Sequence, residues 1–371
     1  MKKLLALKRI YLLVLLPVSI LLILMAKKSS FFSEQIYALH FYKWISQAVS
    51  SFYGLFPFSV AELIVILFPV LVFVLFVRFL IGIIAHKENR RERLLKGILN
   101  SLCTISVILF LFTMLGGLNY YRYNFTAYAN LGITESTVEE LYHLTESLML
   151  TANDLRAQIP ETDENGVFKL SVSITELAKQ AEIAFEALSE DYPVLDGNYA
   201  QPKPIILSKL MSQTEITGIF FPFTMEANVN VDVPEYSIPA TMLHELAHLR
   251  GFMREDEANY LAYLAGMKSN RVELQYSSTM LALVFSGNAL YEKDPMLYFE
   301  IRDQYSEGVF ADIRANAAYW QQYEDTVVST ISNRVNDTYL KVNDQSDGVQ
   351  SYGRMLDLLL AKYRKEQQEA S

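Results

Sequence analysis

The sequence predicts an α+β protein in two parts: three transmembrane helices in front, and behind them a mostly helical domain with a small sheet. Three observations lead there. Long charge-free apolar runs are confined to the front of the chain, charge divides at the same place, and helical periodicity gives way briefly to strand-like alternation before HELAH at 244–248. Residues 1–118 carry 13 Lys and Arg against 4 Asp and Glu, a net of +9; the whole chain is −9, which leaves −18 for residues 119–371. A basic apolar front and an acidic mixed back describe a membrane anchor joined to a water-exposed domain. The acidic body excludes nucleic acid as an expected partner, because phosphate binding needs a basic surface. The single cysteine, Cys103, permits no intrachain disulfide and no cysteine-based metal site.

The first apolar run, 10–26, is free of charge and just long enough to cross hydrocarbon. Leu24 stands where cleavage after Ala26 would want a small residue, so a retained span is expected in preference to a cleaved signal peptide. The second run, 60–85, contains Pro69, with Arg78 near one end and Glu62 near the other; Glu62 reads as an interfacial carboxylate at a helix N-terminus. The third, 97–121, is charge-free throughout and is the clearest span. Between the first two spans, residues 31–54 crowd aromatics into an expected interfacial helix. Nine Lys and Arg flank the N-terminus and the 86–97 loop, against three in 27–57. That bias puts the N-terminus in the cytoplasm and residues 119–371 outside it, so a multi-pass cell-membrane protein with an extracytoplasmic domain is expected.

The domain, taken as 122–371, opens with an amphipathic helix over 135–158, ended by Pro160 and the turn at 163–166, and a second helix over about 173–188. Strand-like segments follow at 204–208, 218–221 and 226–232, the last alternating Ala227, Val229 and Val231 with Asn228 and Asn230. Its asparagines suit either a structural strand or an edge that pairs with an extended peptide. After about 255 the chain reads as helix: 255–269, 272–291, 295–305, 308–345 with breaks, and 351–367.

The chemistry concentrates at His244-Glu245-Leu246-Ala247-His248. Histidines four apart project from one helix face, one turn apart, the spacing that grips a single zinc ion. Glu245, beside the first histidine, can hold and deprotonate an attacking water. A catalytic zinc site takes three protein ligands and keeps one position open. No histidine follows His248, so the third ligand is expected to be a carboxylate. Gly251 can turn the chain sharply by adopting the left-handed conformation. A helix starting near Glu255 would then set Glu255 as ligand, with Asn259 one turn on, hydrogen-bonded to a ligating histidine. Glu257 is a second candidate ligand; alternatively Glu255, Asp256 and Glu257 only complement a helix dipole.

Pro222-Phe223-Thr224-Met225-Glu226-Ala227-Asn228-Val229-Asn230, HELAHLRGF and Glu255-Asp256-Glu257-Ala258-Asn259 together resemble the bacterial domain-of-unknown-function 3810 family. Residues 56–62 (FPFSVAE), 336–341 (NDTYLK) and 348–354 (GVQSYGR) carry the same resemblance, so it extends over nearly the whole chain. Those proteins are membrane-anchored and grouped with the gluzincin-type metallopeptidases. The resemblance implies a zincin-like metallopeptidase domain with His244, His248 and Glu255 as zinc ligands, Glu245 as general base and Asn259 behind them. Met225 departs from the glycine expected at that place, which puts the local turn in question. A transition-state oxyanion also needs a donor, for which Tyr352 and Arg354 are candidates. The expected function is a membrane-anchored, zinc-dependent peptidase acting on peptide or protein substrates, with membrane lipids around its spans. The alternative is a non-catalytic zinc-holding membrane sensor or scaffold.

Overall fold

The computed structural model describes residues 8–343 and 354–370. Among the described residues, three helices are long and apolar enough to cross a membrane: Lys8–Lys28, Val60–Ala85 and Arg90–Leu115. The first is a 3-10 stretch running into α1 (Leu15–Lys28); the others are α3 (Val60–Ala85) and α4 (Arg90–Leu115). The third stops at Leu115, short of the expected limit at 121. Gly116 and Gly117 supply no helix-stabilising side chain, and the chain passes into a 3-10 turn whose residues Gly117–Tyr120 are buried in the domain.

The interfacial segment is a π-helical stretch, Phe32–Tyr42, followed by α2 (Lys43–Gly54). The wide π turn repeats its faces at a spacing of about five residues. Phe31, Ile36 and Phe41 are exposed, while Glu34, Tyr37, Ala38 and Tyr42 are buried. The segment is therefore two-faced, and its inner face belongs to the same apolar core as the domain.

The remaining helices are α5 (Thr126–Ala129), α6 (Val138–Ala157), α7 (Ile174–Asp191), α8 (Ser208–Ser212), α9 (Ile238–Leu249), α10 (Glu255–Lys268), α11 (Val272–Lys293), α12 (Pro295–Arg302), α13 (Glu307–Gln321), α14 (Val327–Val342) and α15 (Met355–Ala370). Thr137 starts α6 through a reciprocal capping box with Glu140. The core is built from α6, α7, α10 and α11 around α9, whose residues are buried on nearly every face.

The sheet has three short strands, β1 (Lys203–Pro204), β2 (Gly218–Phe221) and β3 (Glu226–Val229), in the order β1-β3-β2. β1 is parallel to β3, and β2 antiparallel to it. The strand expected over 204–208 stops at Pro204, and Ser208 already opens α8. β3 is central and wholly buried, so it is not the edge that an extended peptide could join; the exposed edge belongs to β2. The β2–β3 turn explains the Met225 departure. Met225 holds φ at +50°, a conformation that glycine adopts freely, yet its side chain is fully buried. Packing of that side chain offsets the strained backbone.

Candidate metal centre

α9 begins with Pro239 in its first turn, where a missing N–H costs nothing. The Ala240 N–H is satisfied by Ser277 Oγ at 2.9 Å. His244 and His248 lie one turn apart on the helix, their rings 4.6 Å between centroids and nearly perpendicular. The helix then stops at a glycine turn: Gly251 takes φ +88°, its N–H reaches His248 O, and the Phe252 N–H reaches Ala247 O. That turn brings Phe252 O to 2.8 Å from His248 Nδ1. It also aims the chain so that α10 starts beside α9 and Glu255 faces both histidines.

Glu255 Oε2 is 3.2 Å from His244 Nε2, and Oε1 is 3.7 Å from His248 Nε2. Asn259 Oδ1 meets His244 Nδ1 at 2.7 Å. Both histidines thus have Nδ1 against an oxygen acceptor, which assigns the proton there and leaves Nε2 facing the shared space. Ligand atoms of His244, His248 and Glu255 all lie within 4.8 Å of one another, a group that could hold a metal ion. Two imidazole nitrogens and a carboxylate, with both imidazoles oriented from behind, are donors that a metal ion could share. Burial alone would lower the His248 pKa, but the Glu255 carboxylate outweighs it and pushes the ring up to about 9. Burial would raise the Glu255 pKa, and the histidines instead pull it well below the carboxylate range.

Glu245 is the other kind of carboxylate. Only 4% exposed, it has its pKa pushed up to about 7, chiefly by burial, with the two histidines opposing and Glu255 reinforcing the shift. The Phe220 N–H of β2 donates to it, while Oε2 has no hydrogen-bond partner among the described residues. β2 comes this close because residue 218 is glycine: a Cβ there would collide with Glu245 Oε1 and Thr241 Cγ2.

Glu257 is turned away from this group. It accepts from the Phe125 N–H at 2.7 Å and from Arg254 Nη1 at 3.2 Å. Arg254 also donates to the carbonyls of Tyr120 and Arg122. Asp256 faces Arg354, Nε to Oδ2 3.6 Å. Tyr352 lies outside the described residues. A tyrosine that the sequence reading did not single out, Tyr339 on α14, is close enough for the Glu255 charge to act on it. Its pKa is raised by burial of the hydroxyl and by Glu255, against a hydrogen bond with Tyr120 that lowers it. The residue as a whole is nevertheless 43% exposed.

Two groups missed by sequence reasoning buttress the site. Tyr42 OH donates toward His248 O and Leu249 O, the terminal carbonyls of α9. Arg122 donates to both oxygens of Glu34 at 2.7 and 2.9 Å, donates to Arg250 O, and stacks 4.1 Å from the Phe252 ring centroid. The segment after the first span is thus fastened beneath the glycine turn. Glu226 does similar work at the second span: it accepts from the Val60 and Ala61 N–H groups at the N-terminus of α3 and pairs with Lys203 at 2.7 Å. Ser59 Oγ bonds Asn228 Oδ1 at 2.6 Å. The family-like segments at 56–62 and 222–230 meet here, far apart in sequence but in direct contact.

The protein that fold and site define is mostly helical, carries three apolar helices suited to a membrane, and gathers a His-His-Glu group able to hold a metal. Residues 37–360 match the family described as protein of unknown function (DUF3810), and the chain belongs to that family. No curated protein and no solved structure matches it.

Proposed function

We propose that the protein is a membrane-anchored, zinc-dependent metallopeptidase of gluzincin-like, zincin-type architecture. The observation that carries this reading is Glu245: a buried carboxylate with one oxygen unpartnered among the described residues, beside a group of metal-binding type and under the edge of β2. A site that only held metal for structure would have no use for it, and leaving it there costs folding energy. His244, His248 and Glu255 would hold the zinc, with Asn259 and Phe252 O fixing the imidazoles. Bound zinc supplies a Lewis acid that lowers the pKa of water and polarises a carbonyl. Glu245 takes a proton from the attacking water and returns it to the leaving amine. The edge of β2 away from β3, apart from the Phe220 N–H given to Glu245, offers an extended peptide backbone hydrogen bonds. Tyr339 is the favoured donor to the developing oxyanion, whereas Arg354 faces Asp256.

The charge bias of the flanks supports a multi-pass arrangement with the domain outside the cytoplasm. The test is hydrolysis of a peptide library by the full chain in detergent, wild type beside Glu245→Gln. Cleavage by wild type, reduced at least about 100-fold in the variant, is expected for loss of a general base. A wild type that cleaves nothing after zinc loading defeats the peptidase reading. The fastening of α9 to the juxtamembrane segment through Tyr42, Arg122 and Glu34 favours, as a second reading, a zinc-holding sensor or scaffold. In that case Glu245→Gln leaves every cellular phenotype intact.

A further inference from the structure

Glu62 lies in the first turn of α3, and its carboxylate accepts the backbone N–H groups of Ile206 and Leu207 at 3.0 and 2.7 Å. Those bonds fix the β1–α8 loop at the mouth of a helix that is apolar but for Glu62 and Arg78 and whose most apolar stretch has no residue buried in the protein. An apolar helix so bare is covered by lipid. At about 1.5 Å per residue its 26 residues reach about 39 Å, against about 30 Å of hydrocarbon, so its first turn stands at the headgroup boundary. The loop held there and the start of α8 present Ile206 at 75%, Leu207 at 44% and Leu210 at 57% exposure, with the exposed cation of Lys209 among them. On the adjoining side, Lys203 binds the carbonyls of Tyr53 and Phe58, which places the exposed rings of Phe56 and Phe58 at the same mouth. Aliphatic tips, aromatic rings and a lysine are the composition of a surface seated between headgroups and acyl chains.

We infer that the 205–210 segment, the β1–α8 loop with the first residues of α8, is a lipid anchor: Ile206, Leu207 and Leu210 insert into the bilayer leaflet that α3 enters, and this seats the domain against the membrane. The anchor is short of the metal group by very little. The Ile205 N–H bonds Val229 O at 2.9 Å, and Val229 pairs with Gly218, the residue against Glu245. Two strand spacings, about 10 Å, separate the loop from the reactive edge. For the peptidase proposed above, and resting on that reading, the polypeptide within reach is one that lies within a short stretch of a membrane surface. The anchor itself does not depend on hydrolysis.

The test uses the full chain with Cys103→Ser, carrying Ile206→Cys or Leu210→Cys labelled with an environment-sensitive nitrobenzoxadiazole dye. Each protein is reconstituted in phosphatidylcholine vesicles with plain or brominated acyl chains. Both positions lie on the protein surface, so the substitutions remove little packing, and an unchanged melting temperature checks the fold. Blue-shifted emission quenched several-fold by brominated lipid and untouched by iodide is expected at both positions. A label at either position that iodide quenches and brominated lipid does not overturns the anchor. Because neither readout involves cleavage, failure of the anchor and failure of the peptidase reading are separately visible.

Discussion

Two buried carboxylates, one in the sheet and one in the helix that follows it, are treated in opposite ways. At the mouth of α3, Glu226 receives two backbone N–H groups and the Lys203 ammonium, and so compensates a helix N-terminus and a buried cation at once. At the metal centre Glu245 keeps an oxygen without a partner among the described residues, and burial raises its pKa to about 7. The first arrangement is what folding selects. The second opposes folding, and strongly perturbed buried carboxylates of this kind gather at functional sites. The mouth of α3 is thus built for stability, and the His-His-Glu group is built at some expense to it.

The largest expected effect lies at the carboxylate proposed as general base. Glu245→Gln should lose peptide hydrolysis by about 100- to 10,000-fold while its melting temperature in the metal-free protein holds or rises, because a buried charge has been removed. A fall in stability would break the contrast with Glu226. Glu226→Ala should do the reverse, destabilising the full chain by about 3–5 kcal/mol in detergent thermal melts, since it strands Lys203 in a buried site. Asn259→Ala leaves His244 Nδ1 without its acceptor and should weaken zinc affinity about 10- to 100-fold by competition titration. Met225→Gly tests the strained turn: the relieved backbone returns about 1 kcal/mol and the lost buried side chain costs about 2–5 kcal/mol, so a net loss is expected by denaturant unfolding.

The smallest effect is at the surface. Arg364 chiefly pulls the Glu140 pKa down to about 2, helped by the Thr137 backbone, and this pair ties α15 to the start of α6. A depressed carboxylate contributes stability that is present above its ordinary range near 4.5 and lost as pH falls toward 2. Glu140→Gln should flatten that acid limb while changing stability at neutral pH by less than about 1 kcal/mol. A larger neutral-pH effect would mean that surface pairs share the role assigned to Glu226.

Local signals carried well from sequence to structure. Histidine spacing, the glycine turn and the next carboxylate all fall within the single short stretch 244–259, where helix geometry alone determines who meets whom. His244, His248, Glu255 and Asn259 accordingly come together in the way their spacing suggests, and helix limits after 255 agree closely, with 344–353 outside the described residues. What could not be read depends on contacts across the fold. Glu226 finds the start of α3, which lies far back along the chain, Tyr42 finds the end of α9, and Gly218 matters only because β2 crosses α9. The central place of β3 was hidden for the same reason, since alternation along one strand says nothing of how many neighbours it has. At 116–121 the chain stays apolar after leaving the third span because it enters the domain core, and hydropathy cannot distinguish lipid from protein interior.

The account turns on whether His244, His248 and Glu255 hold a metal while Glu245 stands free of it. Metal content of the full chain, purified in detergent and loaded with zinc, measures this directly in wild type, Glu255→Ala and Glu245→Gln. About one zinc per chain in wild type and in Glu245→Gln, with loss in Glu255→Ala, is the predicted result. A wild type that binds none, or a Glu255→Ala protein that retains it fully, would contradict the assignment of the centre.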